Sequence, residues 1–277
     1  GYAGPEGGDD GTAAGTVCFG WNIRGQQKKD INLISDMAVN KFKFADRAPI
    51  KYFFRAIVAG FFLVVAIILS YTTGAVLNNS YPEMARIMVA ATFSLALGLI
   101  AFIGGELFTG NNLVMAIGIY NNECTLTMAL KVWFMSYLGN FIGSILLGFL
   151  FVKSGASMDL IKDYAKGIVD IKLNLPALEL FLRGMLCNFM VCIAFLSTIK
   201  MKSETGKLII MFWCIFAFVI AGFEHSIANM GIFSITYFSS GDVSLPLVFR
   251  NLFWVTLGNM VGGGVLLALP LKFMSME

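Results

Sequence analysis

The sequence predicts an all-α integral membrane protein with six transmembrane helices, of which the second and the fifth are broken. The first observation is composition: the mean hydropathy is +0.77, and 57% of the 277 residues are hydrophobic but only 13% are charged. Soluble domains carry roughly 25% charged residues. The second is a set of six long apolar segments, and the third is a pair of matching polar interruptions. A net charge of +3, spread along the chain, also argues against a nucleic-acid-binding protein.

The chain begins with a stretch that is predicted to lie outside the folded part. Residues 1–29 are rich in glycine and acidic residues near their start and contain no apolar run, which is typical of a tag-like or disordered tail rather than a signal peptide. Residues 30–48 then alternate charged and apolar side chains at helical spacing. An amphipathic helix at the inner membrane interface is predicted there. Residues 30–277 form one transmembrane domain.

Six apolar segments have the length that a membrane helix needs. About 20 apolar residues cross a hydrocarbon core of ~30 Å. The segments are 52–73, 84–103, 128–152, 176–199, 207–222 and 247–271. Two shorter apolar stretches, 113–119 and 230–238, follow the polar interruptions and are predicted to be the second halves of broken helices. The connection 153–175 is predicted to be an outer loop.

The distribution of Lys and Arg predicts the orientation, because positive residues stay on the cytoplasmic side. With both termini inside, thirteen Lys and Arg residues fall in cytoplasmic segments and six in the opposite loops. Four of those six lie in the 153–175 connection, which is therefore an exception to the rule. The prediction is a multi-pass protein of the inner (plasma) membrane with both termini cytoplasmic.

The two polar interruptions share a pattern. Glu106-Leu107-Phe108-Thr109-Gly110-Asn111 and Glu224-His225-Ser226-Ile227-Ala228-Asn229 both read Glu-x4-Asn, 118 residues apart. His225 is the only histidine of the chain. An ionisable residue inside a membrane costs a few kcal/mol and usually lines a pathway or relay. A neutral His225 that is hydrogen-bonded to Thr109 is the simplest arrangement.

A second motif repeats at almost the same distance. Leu-Gly-Asn-Phe-Ile-Gly at 138–143 returns as Leu-Gly-Asn-Met-Val-Gly at 257–262. The chain is therefore predicted to contain two related three-helix halves, about 50–152 and 176–275, and an odd number of spans per half gives an inverted repeat. The two breaks then meet near the midplane, where helix amino termini favour an anion. The Gly-x3-Gly spacing in each motif is interpreted as close helix packing.

No cofactor or metal is predicted. The five cysteines show no CxxC spacing, and one histidine is too few for a metal cluster.

The motifs GELFTGN and GFEHSIAN, the LGNxxG element after each and the six spans together resemble the formate/nitrite transporter family of monovalent-anion channels, which includes a hydrosulfide branch. The likeness covers about residues 30–275. It implies an aquaporin-like protomer of inverted three-helix repeats with its own pore. It also implies a homopentamer whose central hole is not the substrate route.

The resemblance also assigns the substrate pathway. By motif, the loop that gates and binds substrate matches Leu107, Phe108 and Thr109, and the central histidine matches His225. Aligned flanks assign an inner hydrophobic constriction and an outer one that Val191 completes. The inner constriction consists of Phe93, Leu97 and Phe218. From sequence alone these apolar residues look like ordinary membrane core.

Further polar residues are assigned beside this pathway. Lys172 matches the family's lysine near the outer funnel, and is either an anion-attracting group or a solvated loop lysine. Glu224 and Asn188 match the pair that steadies the histidine loop. Glu106 and Glu224 suggest either an acid/base pair or braces for loop amides, and one carboxylate in each half favours braces. Asn111 and Asn229 are predicted to cap the irregular backbone.

The function that follows is a membrane channel for small monovalent weak-acid anions of the formate, nitrite or hydrosulfide class, leaning toward hydrosulfide. Its partners are the anion, the lipid bilayer and other copies of the chain. A proton-coupled carrier is an alternative, and so is an aquaporin-like neutral-solute channel, although the breaks lack Asn-Pro-Ala elements. An intramembrane hydrolase that uses Ser226, His225 and Glu224 is disfavoured, because consecutive residues do not easily align as nucleophile, base and orienting group. The protein is not expected to be an enzyme.

Overall fold

The computed structural model describes residues 13–276, with side chains from residue 25 onward. These residues form helices and no β-strand. The α-helices are α1 (Ala13–Arg47), α2 (Pro49–Asn78), α3 (Pro82–Phe93), α4 (Leu95–Leu99), α5 (Phe108–Tyr120), α6 (Leu126–Ser154), α7 (Met158–Asn174), α8 (Ala177–Lys200), α9 (Glu204–Ile220), α10 (Ser226–Ser240), α11 (Leu245–Val261) and α12 (Ala268–Met274). Two π-helical segments, Ile100–Gly104 and Gly262–Leu267, continue α4 and α11.

Five helical stretches among the described residues are long and apolar enough to cross a membrane. They are Pro49–Asn78, Pro82–Gly104, Leu126–Ser154, Ala177–Lys200 and Leu245–Met274. The fifth predicted segment, 207–222, corresponds mostly to the shorter α9 of 17 residues, and α10 follows it. The short apolar stretches 113–119 and 230–238 lie inside α5 and α10.

Local sequence explains where several helices begin and end. Proline occupies the first turn of α2, α3 and α11, where its missing N–H has no helical partner in any case. The Thr125 hydroxyl accepts a hydrogen bond from the Met128 amide at the start of α6 (3.3 Å). That helix ends at Ser154 and is followed by Gly155, whose φ of 72° is the left-handed conformation that glycine adopts without strain.

The prediction of a loop at 153–175 is wrong, because most of this connection is the 17-residue helix α7. Ile161, Ala165, Val169 and Leu173 are buried at a spacing of four residues, so one face of α7 packs on the protein. The many charged residues of this segment occupy the other faces and obscured the pattern. Lys172 is therefore held on a helix rather than on a loop.

The amino-terminal region forms one long helix. The predicted amphipathic segment 30–48 lies in α1, which buries Ile31, Ile34 and Ala38 against the rest of the protein. Of the predicted tail 1–29, residues 1–12 lie outside the described residues, and the part from Ala13 onward is continuous with α1.

Glycines bring helices into close contact at two places in the fold. A Cβ on Gly143 of α6 would collide with the Ile57 carbonyl oxygen of α2, and a Cβ on Gly262 would collide with the Met185 carbonyl oxygen of α8. The second glycine of each repeated LGNxxG motif thus permits the backbones of two helices to touch. This close approach brings Asn140 and Asn259, one turn before these glycines, to the interior of the fold.

Candidate functional site

The site forms where two helical rods are interrupted. The first rod ends at Gly104, whose φ is 98°, and helix resumes as α5 at Phe108. The second rod ends at Ile220, and helix resumes as α10 at Ser226. Each interruption leaves backbone N–H and C=O groups without helical partners, and such groups need other partners when they are buried.

Asn140 of α6 provides hydrogen-bond partners for backbone groups of the first interruption. Its side-chain oxygen accepts a hydrogen bond from the Phe108 amide (2.9 Å), and its side-chain nitrogen donates to the carbonyl oxygens of Ala56 (2.8 Å) and Glu106 (2.9 Å). The Asn140 side chain is fully buried. One amide side chain therefore joins the interruption, α2 and α6.

Asn259 of α11 makes the same three bonds at the second interruption. Its side-chain oxygen accepts from the Ser226 amide (2.9 Å), and its side-chain nitrogen donates to the carbonyl oxygens of Gly184 (2.8 Å) and Glu224 (3.0 Å). A backbone hydrogen bond also recurs. The Glu106 amide donates to the Arg55 carbonyl oxygen, and the Glu224 amide donates to the Arg183 carbonyl oxygen, both at 3.2 Å. The two interruptions share one local geometry.

Sequence reasoning missed these two asparagines as braces, because the LGNxxG motif was assigned to packing alone. Their recurrence beside each Glu-x4-Asn motif was the available signal. The glutamates were predicted to brace the interruptions by holding backbone amides, but in the described residues their carboxylates bond to side chains. The Glu106 carboxylate pairs with Lys41 of α1 (2.6 Å), and the Glu224 carboxylate pairs with Lys172 of α7 (2.8 Å).

Lys41 was also missed. It lies on the amphipathic helix α1 as Lys172 lies on the amphipathic α7, and each lysine reaches the glutamate of one interruption. The ion pair of Lys41 with Glu106 joins residues 65 positions apart. No local pattern could have suggested it, and the repeat was the available signal. Because Glu224 neutralises Lys172, this lysine is not a free cation.

Asn111 and Asn229 were predicted to cap irregular backbone, but their side chains have other partners. The side-chain nitrogen of Asn111 donates to the Tyr52 hydroxyl (3.1 Å). That of Asn229 donates to the carboxylate of Glu224 (2.6 Å) and to Asn251 (2.9 Å). Both therefore contact side chains rather than cap backbone.

Asn188 and Glu224 were predicted to steady the histidine loop together, and no hydrogen bond joins the two side chains among the described residues. The side-chain nitrogen of Asn188 donates to the Asn259 carbonyl oxygen. Asn188 is thus linked to the histidine loop through the brace residue Asn259.

The two interruptions meet at Thr109 and His225. The Thr109 hydroxyl lies 3.0 Å from Nε2 of His225, and both residues are buried. Nδ1 of His225 accepts a hydrogen bond from the Ala228 amide at 3.2 Å. Because Nδ1 acts as an acceptor, a neutral His225 carries its proton on Nε2 and donates it to Thr109.

A cavity of about 460 Å³ leads to this pair from one side. We call it the vestibule. Its lining includes His225 and Glu224, the rings of Phe93 and Phe218, and Lys172. The two phenylalanine rings meet edge to face with centroids 6.2 Å apart, and the Phe218 ring stacks on His225 at 6.2 Å. Aromatic rings and the histidine thus form the floor of the vestibule.

A much smaller cavity, of about 10 Å³, lies beyond these rings. Leu97, Leu107 and Val191 line it together with Phe93, Phe218 and His225. This volume has room for about one water molecule, so the path is narrow at this point. Leu63, Ala96, Ile100 and Ile215 complete the lining, and sequence reasoning did not single them out.

The three residues predicted to form the inner constriction, Phe93, Leu97 and Phe218, all line this small cavity. Val191, which was predicted to complete a separate outer constriction, lines the same cavity. Phe93 and Phe218 also face the vestibule that Lys172 lines, so the two rings separate the two cavities.

Phe108 lines neither of these two cavities. It is buried, and its ring packs edge to face on Tyr137 at 5.0 Å.

Among the described residues, no group of three or more His, Cys, Asp or Glu side chains could hold a metal ion.

The fold and the site define a multi-pass helical membrane protein with a narrow internal path. Comparison with known proteins identifies the family. The family model described as "Formate/nitrite transporter" matches residues 28–273. The chain therefore belongs to the formate/nitrite transporter family, as the motifs indicated.

Individual relatives agree with this assignment. The nitrite transporter NirC of Escherichia coli (strain K12) is 31% identical over 242 residues, which are 86% of this chain and 89% of the relative. Among solved structures, an "FNT family ion channel" matches with a TM-score of 0.82 and 31% identity, covering 87% of this chain and 97% of the other. A "Pentameric formate channel with formate bound" matches with a TM-score of 0.73 and 26% identity, covering 84% of this chain and all of the other.

Proposed function

We propose that the protein is a channel for small monovalent weak-acid anions of the formate, nitrite or hydrosulfide class. The hydrogen bond between Thr109 and His225, at the meeting point of the two interruptions, is the observation that carries this proposal. It places one polar pair between a charged vestibule and an apolar constriction. Family membership and the formate-bound solved relative support the class of substrate.

The proposed architecture joins the separate helices into six spans. α9 and α10 together form a broken fifth span, and α3 to α5 form a broken second span. Matching hydrogen bonds of Asn140 and Asn259 support two halves that are related as an inverted repeat. The pentameric relative supports a homopentamer with a separate path in each protomer. In the plasma membrane, both termini are cytoplasmic and the vestibule opens outward.

The geometry suggests how an anion passes. It enters the vestibule, loses water at the rings of Phe93 and Phe218, and meets the polar pair. A charged species crosses the apolar constriction of Leu97, Leu107 and Val191 only at high cost. A weak-acid anion avoids this cost if it takes a proton from vestibule water beside His225, crosses as the neutral acid and releases the proton to water on the other side.

The roles of the remaining residues follow from their contacts. Glu106 and Glu224 anchor the interruptions to α1 and α7 through lysine. Asn229 holds the Glu224 anchor directly, whereas Asn111 bonds to Tyr52 and Asn188 bonds to the brace residue Asn259. Phe108 secures its interruption through its contact with Tyr137.

Among the candidate anions, the narrow inner cavity of about 10 Å³ favours the smallest. Hydrosulfide has one heavy atom, whereas formate and nitrite have three. We therefore expect hydrosulfide to pass fastest. Comparative flux of the three anions through reconstituted protein tests this order, and equal or slower hydrosulfide flux would reject it.

The test of the polar pair is anion flux into proteoliposomes across a pH series. We expect His225→Phe to change both the flux and its pH dependence, because the only ionisable group at the constriction is then lost. Thr109→Val has nearly the same shape but leaves the His225 N–H without its acceptor, and we expect a change in the same direction. Unchanged flux and pH dependence in His225→Phe would contradict the protonation model. Anion flux that stops when the proton gradient is abolished would identify a proton-coupled carrier instead.

A further inference from the structure

The vestibule is lined by more cations than the sequence suggested. Arg86 of α3, Lys172 of α7 and Arg183 of α8 all contribute to its wall, and Glu224 is the single carboxylate in that lining. An anion responds to the sum of these charges. Which cation remains unpaired therefore decides where the attraction originates.

Two of the three cations are already neutralised by carboxylates. Lys172 pairs with Glu224 at 2.8 Å, and Arg183 pairs with Glu179 at 2.7 Å. An anion approaching either pair meets nearly equal and opposite charges at short range. Neither pair provides much net attraction.

Arg86 differs from both. Its side chain is exposed, and within the described residues its guanidinium forms no ion pair. Its Nη2 instead donates a hydrogen bond to the Ile220 carbonyl oxygen at 2.7 Å. A backbone carbonyl carries no net charge, so the positive charge of Arg86 is not cancelled.

The position of that carbonyl gives Arg86 a second effect. Ile220 is the last residue of α9, and the carboxyl end of a helix carries partial negative charge that would repel an anion. The carbonyl oxygens of Ala217, Phe218 and Val219 accept hydrogen bonds from the backbone amides of Ala221, Phe223 and Gly222, respectively. The Ile220 carbonyl oxygen accepts its hydrogen bond from the Arg86 guanidinium. The last four carbonyls of α9 are thus occupied, and a full positive charge covers the helix end beside Phe218.

We propose that Arg86 supplies the uncompensated positive charge that attracts monovalent anions into the vestibule, and that Lys172 chiefly anchors Glu224. This inference rests on the proposed anion channel and identifies the residue that recruits its substrate. Recruitment from solution changes the anion concentration at which flux is half-maximal. It leaves the maximal rate through the constriction unchanged, because Arg86 lies before that barrier.

The experiment measures formate flux into proteoliposomes as a function of formate concentration, at low and at high ionic strength. We expect Arg86→Gln to raise the half-saturating concentration about three- to tenfold at roughly 10 mM ionic strength, where charges act over ~30 Å. Near 1 M salt the Debye length falls to ~3 Å, and the difference should shrink to less than about twofold. Arg86→Lys retains the charge and should behave like the wild type.

The matched control is Lys162→Gln, which removes an exposed positive charge on α7 away from the vestibule lining. It should leave the half-saturating concentration unchanged. Arg86→Met repeats the neutralisation with a side chain of similar length if Arg86→Gln does not yield folded protein.

Three results would overturn the inference. The half-saturating concentration in Arg86→Gln could equal that of the wild type, or Lys162→Gln could raise it as much. The maximal flux of Arg86→Gln could also fall by the same factor at both ionic strengths without rescue in Arg86→Lys, which would assign Arg86 a purely structural role as a helix cap. A wild-type protein that conducts none of the three anions would instead reject the proposed function itself.

Discussion

Replacing Asn259 by leucine should weaken the fold at the second interruption while preserving the shape of the side chain. Asparagine and leucine branch at the same carbon and have the same number of side-chain heavy atoms, so the change removes three hydrogen bonds and keeps a similar shape. The Ser226 amide and the Glu224 carbonyl then lose the side-chain partner that they have in the structure. The Gly184 carbonyl is less affected, because it lies inside α8, where the helix provides its own bond.

The magnitude follows from the two groups that lose this partner. Each unsatisfied buried polar group costs about 1–3 kcal/mol, although hydrogen bonds measured inside membranes lie near the lower end. We therefore expect a loss of about 2–4 kcal/mol. For a protein of this size, that corresponds to a fall of roughly 5–15 °C in the unfolding midpoint. Asn140→Leu should give a similar loss, since Asn140 makes the equivalent bonds.

The chain offers a matched control in Asn112. It is another fully buried asparagine, but neither polar atom of its side chain has a hydrogen-bond partner in the structure. Asn112→Leu should therefore cost little or stabilise the protein. Thermal unfolding of the purified protein in detergent compares the three variants. If Asn259→Leu were no more destabilising than Asn112→Leu, the bracing role would be refuted.

Two further predictions concern packing and the first interruption. Gly262→Ala should destabilise the protein by about 1–3 kcal/mol or more, because the new Cβ collides with the backbone of α8. Gly167→Ala lies at an exposed and open position of α7 and should stabilise the protein by about 0.5–1 kcal/mol. A higher unfolding temperature for Gly262→Ala than for Gly167→Ala would contradict the packing geometry. Lys41→Met should cost about 2–4 kcal/mol, because it leaves the mostly buried carboxylate of Glu106 without its cation. Adding Glu106→Gln should recover most of this loss, and a double-mutant cycle without coupling would show that the pair contributes nothing.

The membrane character, the positions of the long helices and the two interruptions could be predicted from the sequence. Each depends on a local property, namely mean hydropathy, the length of an apolar run or a cluster of polar residues within six positions. The proximity of Thr109 and His225 could also be predicted, because the repeat of Glu-x4-Asn implies that the two interruptions meet. The match to the formate/nitrite transporter family confirms the resemblance that these motifs carry.

Other features depended on contacts between distant segments. Helix α7 was predicted to be a loop because its charges outnumber the buried positions that give it a period. Val191 was assigned to a separate outer constriction by the aligned flanks of the motifs, but it lines the same small cavity as Phe93 and Leu97. Which cavity a side chain faces depends on the helices that pack against its own helix.

The sequence by itself determined that this protein crosses a membrane, where its helices are interrupted and which polar pair occupies the interruptions, since hydropathy and motif spacing are written locally. Only the tertiary structure decided what holds those interruptions in place. Asn140, Asn259 and Lys41 reach them from other helices, over separations of 32–65 residues. Buried backbone groups and carboxylates must find partners wherever the fold provides them, and that choice is made by packing rather than by sequence position.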